Sequence, residues 1–212
     1  MEQAPVYKEE RKDVARFMRR LYSKGLTTTS GGNISFRLPD DLILITPSAT
    51  DKGRMRWNEV GLMDLSGKNL TPELKPSIES GMHIEIYRKC EGVKAIVHAH
   101  PVCASVFTAI RLRINTNLTA EARAILGDPV FVPYALMGTL DLANVAGEKA
   151  CESDILLLEN HGILTTGASL LSAFDKIEVL ENAARMTLIT EITRNISPLS
   201  KERINEIDRL FR

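Results

Sequence analysis

The 212-residue sequence predicts an α/β fold, with a central mixed, mostly antiparallel sheet flanked by helices. Two patterns carry that expectation. In the first third, short apolar runs follow one another across tight turns, as hairpin strands do. Farther along, apolar strand runs alternate with amphipathic stretches of helical period, as strand–helix units do. This mixture fits a mixed sheet better than a doubly wound parallel one. The sequence holds no internal repeat, low-complexity segment or long linker, so one domain over residues 1–212 is expected.

Lys8 to Lys24 reads as an amphipathic helix, because Val14, Phe17, Met18 and Leu21 form one apolar stripe and Gly25 is a natural stop. Thr27 to Gly32 is a polar, glycine-rich turn. Ile34–Leu38 and Leu42–Thr46, separated by Pro39-Asp40-Asp41, read as an antiparallel hairpin. Leu62–Leu65 is a further short strand before Ser66-Gly67-Lys68. Pro76-Ser77 opens a helix to about Lys89, with Ser77 as its cap. Val93–His98 is a buried strand, and Pro101 opens a short helix over Val102–Ile110. Val130–Val132 and Ile155–Leu158 read as strands. Leu140–Cys151, Leu170–Arg194 and Lys201–Phe211 read as helices.

Lys plus Arg equals Asp plus Glu at 27 each, which argues against a general nucleic-acid or anionic-membrane surface. No apolar run approaches the ~20 residues of a membrane span, and Met1 to Arg20 is charged without an apolar signal core. Cys90, Cys103 and Cys151 show no CxxC spacing and are expected as buried free thiols in a reducing cytoplasm.

Three of the four histidines fall where a metal would suit them. His98 and His100 are two apart at a strand end, so both imidazoles point to one side. His161 follows the apolar run Ile155–Leu158 in Glu159-Asn160-His161-Gly162 and can close a three-nitrogen set. Three histidines with one open position is a catalytic rather than structural zinc layout. Glu79, at the start of the helix after Lys75-Pro76-Ser77, is the candidate general base or fourth ligand. His83, one turn later, reads as a surface or packed histidine rather than a neighbour of the site. Gly31-Gly32-Asn33, Ser48 with Ala49, and Ser77 offer backbone and hydroxyl donors for an anion.

Six motifs in order resemble the class II aldolase/adducin family. They are Ser30-Gly31-Gly32-Asn33-Ile34-Ser35, Ile45-Thr46-Pro47-Ser48, Lys75-Pro76-Ser77-Ile78-Glu79, Val97-His98-Ala99-His100, Val132-Pro133-Tyr134 with Gly138-Thr139, and Glu159-Asn160-His161-Gly162. The resemblance spans about residues 10 to 190. It implies a zinc-dependent (or other divalent-metal) lyase of carbohydrate metabolism, a cytoplasmic homotetramer with sites at subunit interfaces.

By that resemblance, His98, His100 and His161 match the metal histidines, and Glu79 the acid/base that also ligates the free metal. Gly32, Asn33, Ser48, Ala49 and Ser77 match phosphate-binding positions. Ile78 stands where an aldolase of the family has a second serine, and Ala49 where it has glycine. The implied reaction is reversible cleavage of a small ketose 1-phosphate to dihydroxyacetone phosphate and an aldehyde. Sibling reactions stay open: a methylthioribulose-1-phosphate dehydratase type, for which Glu121 is a candidate extra acid/base, and a pentulose-phosphate 4-epimerase type, whose branch prefers aspartate at the Glu79 position. Tyr134 falls in a family motif on the substrate side. A non-catalytic, adducin-like module fits poorly, because it would lack these ligands.

Overall fold

A computed structural model describes residues 7–110 and 112–211; residues 1–6, 111 and 212 of the expected domain lie outside the described residues. Seven strands form one sheet: β1 (Asn33–Arg37), β2 (Leu42–Ile45), β3 (Gly61–Asp64), β4 (Ala95–Ala99), β5 (Val130–Val132), β6 (Ile155–Leu158) and β7 (Gly162–Gly167), in the order β3-β2-β1-β4-β7-β6-β5. Every pairing is antiparallel except β5 with β6. The expected β1–β2 hairpin forms, with Asp40 and Asp41 both at positive φ (57° and 55°), the backbone of the tight primed turns.

Seven α-helices cover the sheet among the described residues: α1 (Lys8–Ser23), α2 (Ser80–Lys89), α3 (Val102–Ile110), α4 (Ala120–Leu126), α5 (Leu140–Lys149), α6 (Leu170–Thr193) and α7 (Lys201–Phe211). Strand alternation sorts the core into two layers. Along β4, Ala95, Val97 and Ala99 join α1, α3, α4 and α6 in one apolar layer, while Ile96 packs in the other with α2 and α5. No described helix is long and apolar enough to cross a membrane.

Three local features depart from the sequence expectations. The Ser77 side chain does not cap α2; Glu79 takes the cap position, and a turn made by Ser80 N–H on the Ser77 carbonyl (3.1 Å) precedes it. Ser77 is spent instead on holding Glu79, described below. Second, β7 and α4 had no counterpart in the sequence reading. Gly-Ile-Leu-Thr-Thr-Gly is short and flanked by glycines, yet it becomes a central strand because β4 and β6 both pair with it. Third, Cys90 and Cys151 are not free thiols. They are joined as a disulfide, with Cα atoms 5.7 Å apart, where the C-terminal ends of α2 and α5 meet. Cys103 is free and half-buried.

Helix α3 starts two residues beyond His100, and its position is set from α6. The Glu181 carboxylate accepts from the first-turn amides of Cys103 (3.0 Å) and Ala104 (2.8 Å), the charge that a helix N-terminus favours. Glu181→Ala leaves these amides without acceptors. It should lower the unfolding free energy by about 2 kcal/mol, read by urea denaturation; an unchanged midpoint would show that water replaces the carboxylate.

Candidate metal and anion site

The site forms where β1, β4 and the β6–β7 turn meet the start of α2. Register places the residues: Asn33 of β1 lies opposite His98 of β4. The odd positions of β1 turn toward α2 and meet it at helical intervals. Asn33 Nδ2 donates to Glu79 Oε2 (2.8 Å) and Ser77 Oγ (3.1 Å). Ser35 Oγ contacts His83 Nδ1 (2.6 Å) and Tyr87 Oη (2.8 Å), and Arg37 donates to the Tyr87 carbonyl (2.9 Å). Strand spacing of two and helix spacing of four thus match rung for rung. His83 is a packed member of this seam, fully buried.

The three metal-suited histidines converge. One ligand atom from each of His98, His100 and His161 can be chosen so that all lie within 4.8 Å of one another. Glu79 closes the set, with Oε1 3.1 Å from His161 Nε2 and Oε2 3.4 Å from His98 Nε2. Ligands at about 2.0–2.1 Å from a tetrahedral ion sit about 3.3 Å apart, so both spacings suit a shared cation.

The hydrogen bonds strengthen that fit. His98 Nδ1 lies 2.9 Å from the Ile163 carbonyl, which can only accept, so Nδ1 carries the proton. Burial lowers the pKa of the ring, which keeps it neutral, so Nε2 presents a bare lone pair toward a carboxylate. That nitrogen and Glu79 Oε1 are both buried without a hydrogen-bond partner. Unpartnered acceptors gathered in one buried cluster are the arrangement a divalent cation resolves, and the carbonyl on Nδ1 is the usual orienting contact of a ligating histidine.

Electrostatics favour the ligand forms. Burial pushes His100 down to about 4 and His83 down to about 3, so both are neutral. Burial opposes ionisation of Glu79, but His98, His161 and the Asn33 amide outweigh it and hold the carboxyl well below its ordinary range.

A cavity of about 230 Å³ opens beside this cluster. Its wall includes Gly32, Asn33, Ser48, Ala49, Ser77 and Glu79 from the sequence-predicted set, together with His100 and His161. The Pro47 and Pro76 segments bridge, Ser48 N–H donates to the Lys75 carbonyl (3.0 Å), and Ile78 N–H donates to Ser48 Oγ (3.2 Å), so the two proline turns form one wall. Ala49 sits at φ 55°, a left-handed conformation that glycine would adopt at less cost.

Tyr134 and Glu121 are not brought to the cavity within this chain: Tyr134 is 62% exposed, and Glu121 lies exposed in the first turn of α4. One wall residue, Lys52, was not foreseen. Lys52 follows the Thr46-Pro47-Ser48-Ala49 turn by three residues, and its sequence context, Asp51-Lys52-Gly53, reads as ordinary surface.

Residues 12–188 match the model of the class II aldolase and adducin N-terminal domain. The chain belongs to this family. It is 34% identical over 178 residues to an L-fuculose phosphate aldolase of Methanococcus vannielii, covering 84% of this chain and 95% of that one. A 3-oxo-tetronate 4-phosphate decarboxylase of Haemophilus influenzae is 32% identical over 173 residues, covering 79% and 81%. Among solved structures, an L-fuculose 1-phosphate aldolase superposes with a TM-score of 0.87 at 28% identity, covering 98% of this chain and 97% of that one. The protein is therefore a lyase of the class II aldolase family on the mixed α/β fold.

Two outcomes test this geometry. A Cβ on Gly162 would sit 2.5 Å from His100 Cδ2 and 2.7 Å from the Ala99 carbonyl, so Gly162→Ala should displace His100 and weaken divalent-metal binding by about 10-fold or more, measured by competition with a chromogenic chelator. Unchanged affinity would show that His100 is not a ligand. His100 and His83 titrate below the ordinary 6.5 when folded, so the unfolded chain takes up their protons first. Their contribution to stability is complete above pH 6.5 and is lost as pH falls toward 4. Urea denaturation of chelator-treated protein should show falling stability across that window, and a flat profile would contradict the burial of these rings as neutral groups.

Proposed function

We propose that this protein is a zinc-dependent aldolase that reversibly cleaves a small ketose 1-phosphate to dihydroxyacetone phosphate and an aldehyde, as an L-fuculose-1-phosphate aldolase does. The observation that carries the reading is a buried carboxylate, Glu79, set among three imidazoles at one end of a cavity whose other wall is built of anion-suited turns. Both named relatives act on phosphorylated compounds, which supports an anionic substrate.

His98, His100 and His161 would hold the ion, with Glu79 as the fourth ligand before substrate enters. The ion supplies Lewis-acid polarisation of the substrate's carbonyl and neighbouring hydroxyl oxygens. Gly32, Asn33, Ser48, Ala49 and Ser77 bind the phosphate and fix the distance from it to the carbonyl. Glu79 would take the proton from the carbon beside the carbonyl in the synthetic direction and return it in cleavage. The Asn33 amide keeps Glu79 Oε2 aimed during this transfer. Glutamate rather than aspartate at this position favours the aldolase over the epimerase reading, and the exposed place of Glu121 lends the dehydratase reading no support within one chain.

Tyr134, Leu136, Met137, Leu140 and Ile78 are exposed apolar side chains, two of which, Met137 and Ile78, also line the cavity. They favour a homo-oligomer, a tetramer by family resemblance, in which a neighbouring subunit completes the substrate side with Tyr134 near the shared boundary.

Screening ketose 1-phosphates for release of dihydroxyacetone phosphate tests the reaction. Chelator-treated protein should be inactive and recover with zinc. Glu79→Gln should keep the fold but lose about 10²-fold or more of the hydrogen–deuterium exchange at the carbon beside the carbonyl of dihydroxyacetone phosphate. Full activity without metal, or undiminished exchange in the variant, would refute the mechanism.

A further inference from the structure

The cavity wall contains a buried cation that the proposed mechanism does not use. Lys52 is 1% exposed, yet it lines the same cavity as Ser48, Ser77 and Glu79. It opens a short 3-10 turn, Lys52–Arg54, that Asp51 caps through the Gly53 amide (3.0 Å). Its backbone N–H donates to the Thr29 carbonyl (2.9 Å), which ties this turn to the one carrying Gly32. Its Nζ donates to the Pro47 carbonyl at 2.5 Å.

An ammonium has three protons, and among the described residues Nζ is given a single acceptor, a neutral carbonyl. No carboxylate among them pairs with it. A charge buried without a counterion is costly, and burial alone, with no opposing charge, pushes this lysine down to about 8. The nearby Glu79 does not answer it, because that carboxylate is engaged by Asn33 and the histidines. The cavity thus has a negative group held by Asn33 and set against the metal-suited histidines, and a positive group that no carboxylate among the described residues answers. The other donors on the Lys52 side are uncharged hydroxyl and amide groups, which suit a dianion poorly unless a cation joins them.

We propose that Lys52 is the cation that neutralises the substrate's phosphate, its Nζ completing a cradle otherwise built of uncharged donors at Gly32, Ser48 and Ser77. The proposal rests on the sugar-phosphate reading above and adds a binding residue to it. Lysine suits the task as a compact point charge with donors to spare after Pro47. Removing it costs recognition of the phosphorylated substrate and leaves the metal cluster in place.

The test uses zinc-loaded full-length protein and follows hydrogen–deuterium exchange by proton NMR on dihydroxyacetone phosphate and on unphosphorylated dihydroxyacetone. In Lys52→Met, kcat/KM for the phosphate ester should fall about 10-fold or more, mostly through KM, the loss of one charge-assisted contact. The value for dihydroxyacetone and the zinc content should stay within about twofold of the unaltered protein, and Lys52→Arg should restore part of the loss. Should Lys52→Met not fold, Lys52→Gln, which keeps a donor for Pro47, reads the same comparison. Equal losses on both compounds would make Lys52 a structural residue, and no loss on either would leave it without a part in binding; both overturn the proposal while the aldolase reading stands. If the unaltered protein exchanges neither compound, the aldolase reading fails and takes the lysine proposal with it.

Discussion

The structure depends on the burial of one carboxylate. Glu79 is 5% exposed and ionised, a state that the protein interior opposes unless hydrogen bonds and opposing charge compensate. Compensation comes from three directions. Asn33 donates from β1, His98 approaches from β4, and His161 approaches from the β6–β7 turn. Each of these elements must hold its register for the carboxylate to be tolerated. A one-residue slip of β1 would turn Asn33, Ser35 and Arg37 away from α2 and replace them with Ile34 and Phe36. The polar seam between β1 and α2 therefore selects the pairing of the strands at the centre of the sheet as well as the site.

The same demand explains why irregular backbone gathers here. Gly32, at φ 66°, passes so close to β4 that a Cβ would sit 2.7 Å from the His98 carbonyl. Ala49 and Asn160 take left-handed φ of 55° and 52° in the two turns that present the anion-suited wall and His161. Such conformations cost of order 1 kcal/mol or more each and persist where the surroundings over-determine them. The surroundings here are the bridge between Pro47 and Pro76, the Ser48–Ile78 contact and the long β4–β7 ladder. Strand β4 holds His98 and presents His100 just past its end, while turns braced by hydrogen bonds hold His161 and the anion-suited wall.

Much of this is legible in the sequence because it rests on local period and spacing. His98 and His100 share a side because strands alternate, and the amphipathic stripe of α1 and the β1–β2 hairpin follow from patterns within a few residues. Glu79 was readable as a candidate by its place at a helix start. What local pattern does not carry is partnership between distant segments. β7 is a strand because β4 and β6 flank it, the Cys90–Cys151 bond depends on the packing of α2 against α5, and Ser77 leaves its capping role because Asn33 reaches it across 44 positions. Lys52 is the clearest case. Nothing in Thr50-Asp51-Lys52-Gly53 separates it from a surface lysine; its burial comes from distant packing, with its backbone tied to Thr29 and its ammonium to the Pro47 carbonyl.

The two buried charges of the cavity differ in how they are answered, and that difference gives the site a direction. Glu79 is held by Asn33 and placed against the histidines that would share a cation with it, so it can be ionised before substrate arrives and available to receive a proton afterward. Lys52 is compensated by no carboxylate of the described chain, so on the proposed reading its partner arrives with the substrate. A ligand with an anionic end and a carbonyl end can satisfy both only in one orientation, with the anion toward Lys52 and Ser48 and the carbonyl toward the histidines. Reversing it would set phosphate against Glu79 and leave the ammonium unpaired, two penalties in a weakly screened interior. Orientation is then decided by electrostatics before any contact with the aldehyde portion is made. The rest of the substrate is left to the exposed apolar rim around Met137 and Ile78, where relatives with a common core can diverge in what they cleave.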